Sequence, residues 1–159
     1  MTQSYLAMMA DSLDKKISLL KQIEAENQKQ HDALARPEAP DMDAFDATID
    51  TKAALIEELD QLNEGFDSLF SQVKGEVDAN RAKYKEEIAL MQERIRTITA
   101  LSGSIQAAEE RNKRLAEQAF ARTRKDIVQG KKSAKAALDY YHNMARSTFT
   151  PPQYIDSKH

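Results

Sequence analysis

The chain has 159 residues, 41% of them hydrophobic and 31% charged, with 4 Gly, 4 Pro and no Trp. Apolar residues at regular positions exclude a disordered chain, and the length fits one domain of helical-bundle or coiled-coil type. The absence of cysteine excludes disulfides and thiolate chemistry, and the net charge of −3 conceals an uneven spread.

The first predicted helix runs from about residue 4 to 35. Leu6, Met9, Leu13, Ile17, Leu20 and Ile23 recur at helical spacing, with Lys15, Lys16, Lys21 and Glu24 on other faces. From Asn27 to Gln30 the sequence is wholly polar, so this end is expected to fray or project. Pro37 and Pro40 then stop the helix, because proline lacks an amide hydrogen and disfavours helical geometry in the residue before it. The linker covers residues 36–42.

A helix restarts at about 43 and is expected to fold back antiparallel on the first, since the linker is short. Asp41 and Asp43 both suit an N-cap, and this explains their Asp-x-Asp spacing better than a metal site, which would need a third ligand. From Asp43 to Gln129 the chain is free of proline. One seven-residue track holds Ile49, Ile56, Phe70, Val77, Tyr84, Met91, Ile98 and Ile105, with Asn63 its polar member. A second holds Phe45, Leu59, Phe66 and Val73, and a third Leu55, Leu62 and Leu69. Asn63-Glu64-Gly65 predicts a helix end or kink, giving a second helix over 43–64 and a long helix over 67–129. Gly75 and Leu101-Ser102-Gly103-Ser104 are further weak points. A helix over 67–129 would span about 90 Å at about 1.5 Å per residue. Part of it would then project or pair with a second copy, which leaves a homodimer open.

After Gln129-Gly130 a last helix is expected over 131–145, with Ala134, Ala137, Leu138 and Tyr141 on one face. Thr150-Pro151-Pro152 ends any helix and leaves a short extended tail over 146–159. The whole predicts a single all-α domain, an elongated antiparallel bundle of long helices. It also predicts more apolar helix face than the chain can cover by itself. Tyr140, Tyr141, Met144, Phe149, Tyr154 and Ile155 concentrate aromatic, thioether and aliphatic surface near the end, and are the candidate partner-binding residues.

Charge divides along the chain. Residues 31–70 carry eleven acids against Arg36 and Lys52, and 111–135 carry nine bases against Glu117 and Asp126. A basic helix can bind nucleic acid, but no aromatic or Gly-rich signature accompanies it, so the acidic and basic faces are expected to neighbour each other. His31, His142 and His159 are scattered, and no HExxH, Glu-x-x-His, P-loop, GxGxxG or Gly-x-Ser-x-Gly motif occurs. The expectation is a non-enzyme without metal or cofactor. No apolar run reaches signal-peptide or membrane-spanning length, which predicts a cytoplasmic protein without membrane insertion.

Three blocks carry a family resemblance. They are the K-x-x-L-I-E-x-L stretch from Lys52 to Leu59, the I-Q-x-x-E-x-R-N-K stretch from Ile105 to Lys113, and Ala136-Ala137-Leu138-Asp139-Tyr140-Tyr141. With the Leu-rich first helix, their order and spacing resemble the FlgN-type flagellar export chaperones. The resemblance implies an all-α cytoplasmic chaperone that holds the two hook–filament junction proteins before type III secretion. It implies no catalytic residue, and contacts with client and export gate toward the C-terminal part. The alternative reading of the same helices is a structural coiled-coil adaptor without a secretion client.

Overall fold

In the computed structural model the residues described are 1–122 and 127–144, with α4 side chains from Ala136 onward. They form four helices: α1 Thr2–Leu34, α2 Met42–Ala79, α3 Lys85–Arg122 and α4 Ile127–Met144. At about 1.5 Å per residue the first three are rods of roughly 50 to 57 Å.

The helices form where apolar positions recur every three or four residues. Leu6, Met9, Leu13, Leu20 and Ile23 line the inner face of α1, and Phe45, Leu59, Phe66 and Val73 that of α2. Met91, Ile98, Ile105, Ala116 and Ala119 do the same on α3. Fully burying each large member contributes about 1.5–3 kcal/mol, which outweighs the weak intrinsic preferences of single residues. Between α1 and α2 the Asp41 amide donates to Ala33 O at 2.9 Å. The Asp41 carboxylate caps α2 by accepting from the Ala44 amide at 3.1 Å, and Arg36 pairs with it at 3.3 Å. Of the Asp-x-Asp pair, Asp41 is thus the cap and Asp43 lies in the first turn of α2.

Long-range pairs fix the directions. Lys16 meets Asn63, Lys52 meets Asn27 and Gln30 meets Thr48, so α2 runs antiparallel to α1. Arg94 meets Asp14 and Ser104 meets Glu24, so α3 runs parallel to α1. Phe45 packs edge-on against Phe120 with ring centroids 6.0 Å apart, setting the start of α2 beside the end of α3. α1 packs along both long helices, and α4 lies on α2 and α3.

Three expected features differ. Gly65, Gly75 and Gly103 all lie inside unbroken helices, so neither the 43–64 and 67–129 division nor the break at 101–104 occurs. Each glycine faces open space on the solvent side, while Phe66, Val73 and Ser102 beside them are buried and hold the helix. The chain reverses instead at residues 80–84, where Asn80 accepts from the Lys83 and Tyr84 amides at 3.0 and 3.3 Å. The Asn80 side chain donates to Glu76 O at 3.0 Å and closes the end of α2. At the other end of the predicted long helix, α3 stops at Arg122 and Gly130 falls within α4. The fraying expected over Asn27 to Gln30 is also absent. α1 stays helical to Leu34, and Asn27 and Gln30 are buried. The predicted tail over 146–159 lies outside the described residues.

Candidate functional site: a buried polar layer under the fourth helix

Asn27, Lys52 and Glu109 each occupy a position where the apolar spacing of their helix asks for hydrocarbon. Asn27 follows Leu6, Leu13 and Leu20, Lys52 stands between Phe45 and Leu59, and Glu109 stands between Ser102 and Ala116. Because α2 is antiparallel and α3 parallel to α1, the three arrive at one level of the bundle. Lys52 and Glu109 are both 0% exposed.

The layer is joined by hydrogen bonds. Lys52 Nζ donates to Asn27 Oδ1 at 2.7 Å, to Gln30 Oε1 at 3.0 Å and to the Glu109 carboxylate at 2.9 and 3.0 Å. An ammonium has three hydrogens, and three side chains receive them. Asn112 Nδ2 donates to Asn27 O and to Gln30 Oε1, both at 3.0 Å. Gln30 Nε2 donates to Thr48 Oγ1 at 3.1 Å, and that hydroxyl donates to Phe45 O at 2.6 Å. Burial lowers the Lys52 pKa from the usual lysine value, an effect opposed first by the charge of Glu109, then by its hydrogen bond and by the charge of Glu26. Burying an ion costs several kcal/mol, and here dense pairing offsets that cost.

The fourth helix closes the layer. Tyr140 OH donates to Glu109 Oε1, and Lys52 Nζ sits 4.3 Å from the centre of the Tyr140 ring. One tyrosine thus meets both charges, the carboxylate with its hydroxyl and the ammonium with its π face. Burial, the charge of Glu109 and its hydrogen bond together push the Tyr140 pKa well above the ordinary phenol range. Tyr141 stacks edge-on to Tyr140 at 5.3 Å, and its buried hydroxyl has no hydrogen-bond partner among the described residues. Such an orphaned donor costs about 1–3 kcal/mol.

Of the predicted partner-binding residues, the structure brings Tyr140 and Tyr141 together and turns both inward, and leaves Met144 partly buried beside them. In this arrangement Tyr140 and Tyr141 hold α4 to its own bundle. Phe149, Tyr154 and Ile155 lie outside the described residues. The seated face of α4 is Ala137, Tyr140 and Tyr141, whereas Leu138, expected on that face, is 68% exposed. Lys52, Glu109, Asn27, Gln30 and Asn112 were not expected as a site. The available signal was the gap Lys52 leaves between Phe45 and Leu59, repeated by Glu109 between Ser102 and Ala116.

A smaller polar position lies nearer the 80–84 turn, where buried Lys16 donates to Asn63 Oδ1 at 2.9 Å. Burial lowers the Lys16 pKa to about 8, with Asp67 opposing the shift. Two expectations about the surface also change. The surplus of apolar face is not found among the described residues, where only Met1, Met8, Leu90 and Leu138 are large hydrophobics left exposed, and they are scattered. Nor do the acidic and basic stretches pair across the surface. Asp50, Glu57, Glu58, Asp60 and Glu64 form no ion pair with a described residue, and Lys52, one of the two bases in the acidic stretch, pairs internally with Glu109.

No helix among the described residues is long and apolar enough to cross a membrane. No curated protein and no solved structure matches the chain. A family model described as FlgN protein matches residues 1–136, which takes in α1, α2, α3 and the start of α4.

Proposed function

Because the chain belongs to the FlgN family, we propose that it is a chaperone of flagellar type III secretion. In this reading it binds the two hook–filament junction proteins in the cytoplasm and keeps them unassembled until export. The family match over residues 1–136 is the observation that carries the reading. The architecture agrees with it physically. Long amphipathic helices that exchange one helical neighbour for another are a common way to cover a client's amphipathic segment. The work done is mass action: a client bound to the chaperone is withdrawn from premature assembly. The same reading gives the export gate as a second partner.

The test is titration of the full chain with the C-terminal helical regions of the junction proteins from the same genome. Saturable binding at one or two chaperones per client is the expected result. Self-association in sedimentation at several concentrations, with no binding to either client, would favour the adaptor reading instead.

A further inference from the structure

We infer that the surface of α2 and α3 now covered by α4 is where the client's helix docks, so that α4 and client compete for one seat. This inference rests on the chaperone reading above and names the site within it. Its starting point is that a helix-binding protein needs a continuous apolar stripe, whereas the large exposed hydrophobics among the described residues are isolated ones. Among the described residues a docking surface therefore has to be uncovered. α4 is the element that can uncover one, because α1 is sandwiched along its length by both long helices whereas α4 is 18 residues long and lies on one side. The seat demonstrably accepts an amphipathic helix, since α4 is one.

The chemistry under α4 specifies what else would fit. With α4 lifted, Glu109 loses the hydroxyl that donates to it and Lys52 loses the aromatic face beneath its ammonium. Asn27, Gln30 and Asn112 hold these two charges in place from behind. A replacement helix must bring an aromatic ring that also carries a donor, which means tyrosine or tryptophan. One turn earlier it must bring a small residue, in the place of buried Ala137. The present occupant is not ideal, because it buries the Tyr141 hydroxyl without a partner among the described residues. An imperfectly satisfied internal helix is what a displaceable cover requires. Apparent client affinity is then the intrinsic affinity scaled by the fraction of molecules with α4 lifted.

Two conservative substitutions in the full chain shift that fraction in opposite directions. Tyr140→Phe keeps the ring under Lys52 and removes only the donor to Glu109, so it loosens α4. Tyr141→Phe removes the orphaned hydroxyl and tightens it. With the C-terminal helical region of a junction protein as probe, Tyr140→Phe is expected to bind up to about tenfold more tightly than the unsubstituted chain. Tyr141→Phe is expected to bind several-fold more weakly. Hydrogen exchange of the amides over 136–144 should quicken in the first and slow in the second. Weaker or unchanged probe binding by Tyr140→Phe, or exchange that does not quicken, overturns the competition while leaving the chaperone reading intact. Binding by none of the three proteins overturns both.

Discussion

Lys52 and Glu109 owe their stability in the core to each other, and their energetics are asymmetric. Removing one partner strands the other charge, whereas removing both leaves no buried charge, only the neutral amides and the Tyr140 hydroxyl that faced them. Lys52→Met alone is expected to cost about 3–5 kcal/mol in chemical denaturation, with Glu109→Met costing a comparable amount. The double variant should be more stable than either single one, and a double variant as unstable as the sum of the singles would deny the pair its role. Lys16 carries a different signature. Its pKa is about 8 when folded, against the usual 10.5 of an unfolded lysine, so between these values the unfolded chain binds more protons and stability rises with pH. Below about pH 8 the buried charge is a steady cost. Compared with Lys16→Met, the unsubstituted chain should gain about 1 kcal/mol per unit from pH 8 to pH 10 in parallel denaturation curves. A flat difference would show that Lys16 titrates as an exposed lysine does. Neither lysine was legible as buried in the sequence, because a charged side chain in an apolar track reads as an interruption until the facing helices are known.

Helices were the most legible part of this chain and their ends the least. The seven-residue track from Ile49 to Ile105 passes through Tyr84, so its phase is kept across the reversal at residues 80–84. That continuity hid the turn. Asn80 closes α2 with a side-chain bond to Glu76 O, a local contact that needs neither glycine nor proline and leaves little trace in composition. Gly65 offered the opposite lesson. Its helix-breaking tendency amounts to about 1 kcal/mol, less than the burial of Phe66 alone provides. With open space where a Cβ would stand, Gly65→Ala is expected to raise stability by about 0.5–1 kcal/mol, read as a higher denaturation midpoint. A loss of stability would mean that the helix is bent at this point.

At the scale of the molecule, amphipathic periodicity and a short proline-bearing linker were enough to predict an antiparallel start to an all-α bundle. Which faces would remain uncovered was not predictable. That depends on α4 returning to the α2 and α3 surface, a contact between residues 52, 109 and 140 that no local pattern encodes. The three family blocks lie far apart along the chain. In the folded chain Lys52 from the first, Glu109 and Asn112 from the second and Tyr140 from the third meet in one buried layer. The acids of α2 at 50, 57, 58, 60 and 64 remain on the outside, while Lys52 among them turns inward to Glu109.

The parallel pairing of α1 with α3 joins positions 80 apart, such as Asp14 with Arg94. While the polypeptide is being made, the first helix leaves the ribosome well before this second neighbour has been synthesised. An α1–α2 hairpin can close early, but one greasy flank of the leading helix stays wet until translation has passed Arg122. Newborn molecules are therefore adhesive for several seconds at about 5–20 residues per second, an interval in which the unpaired flank is open to other chains.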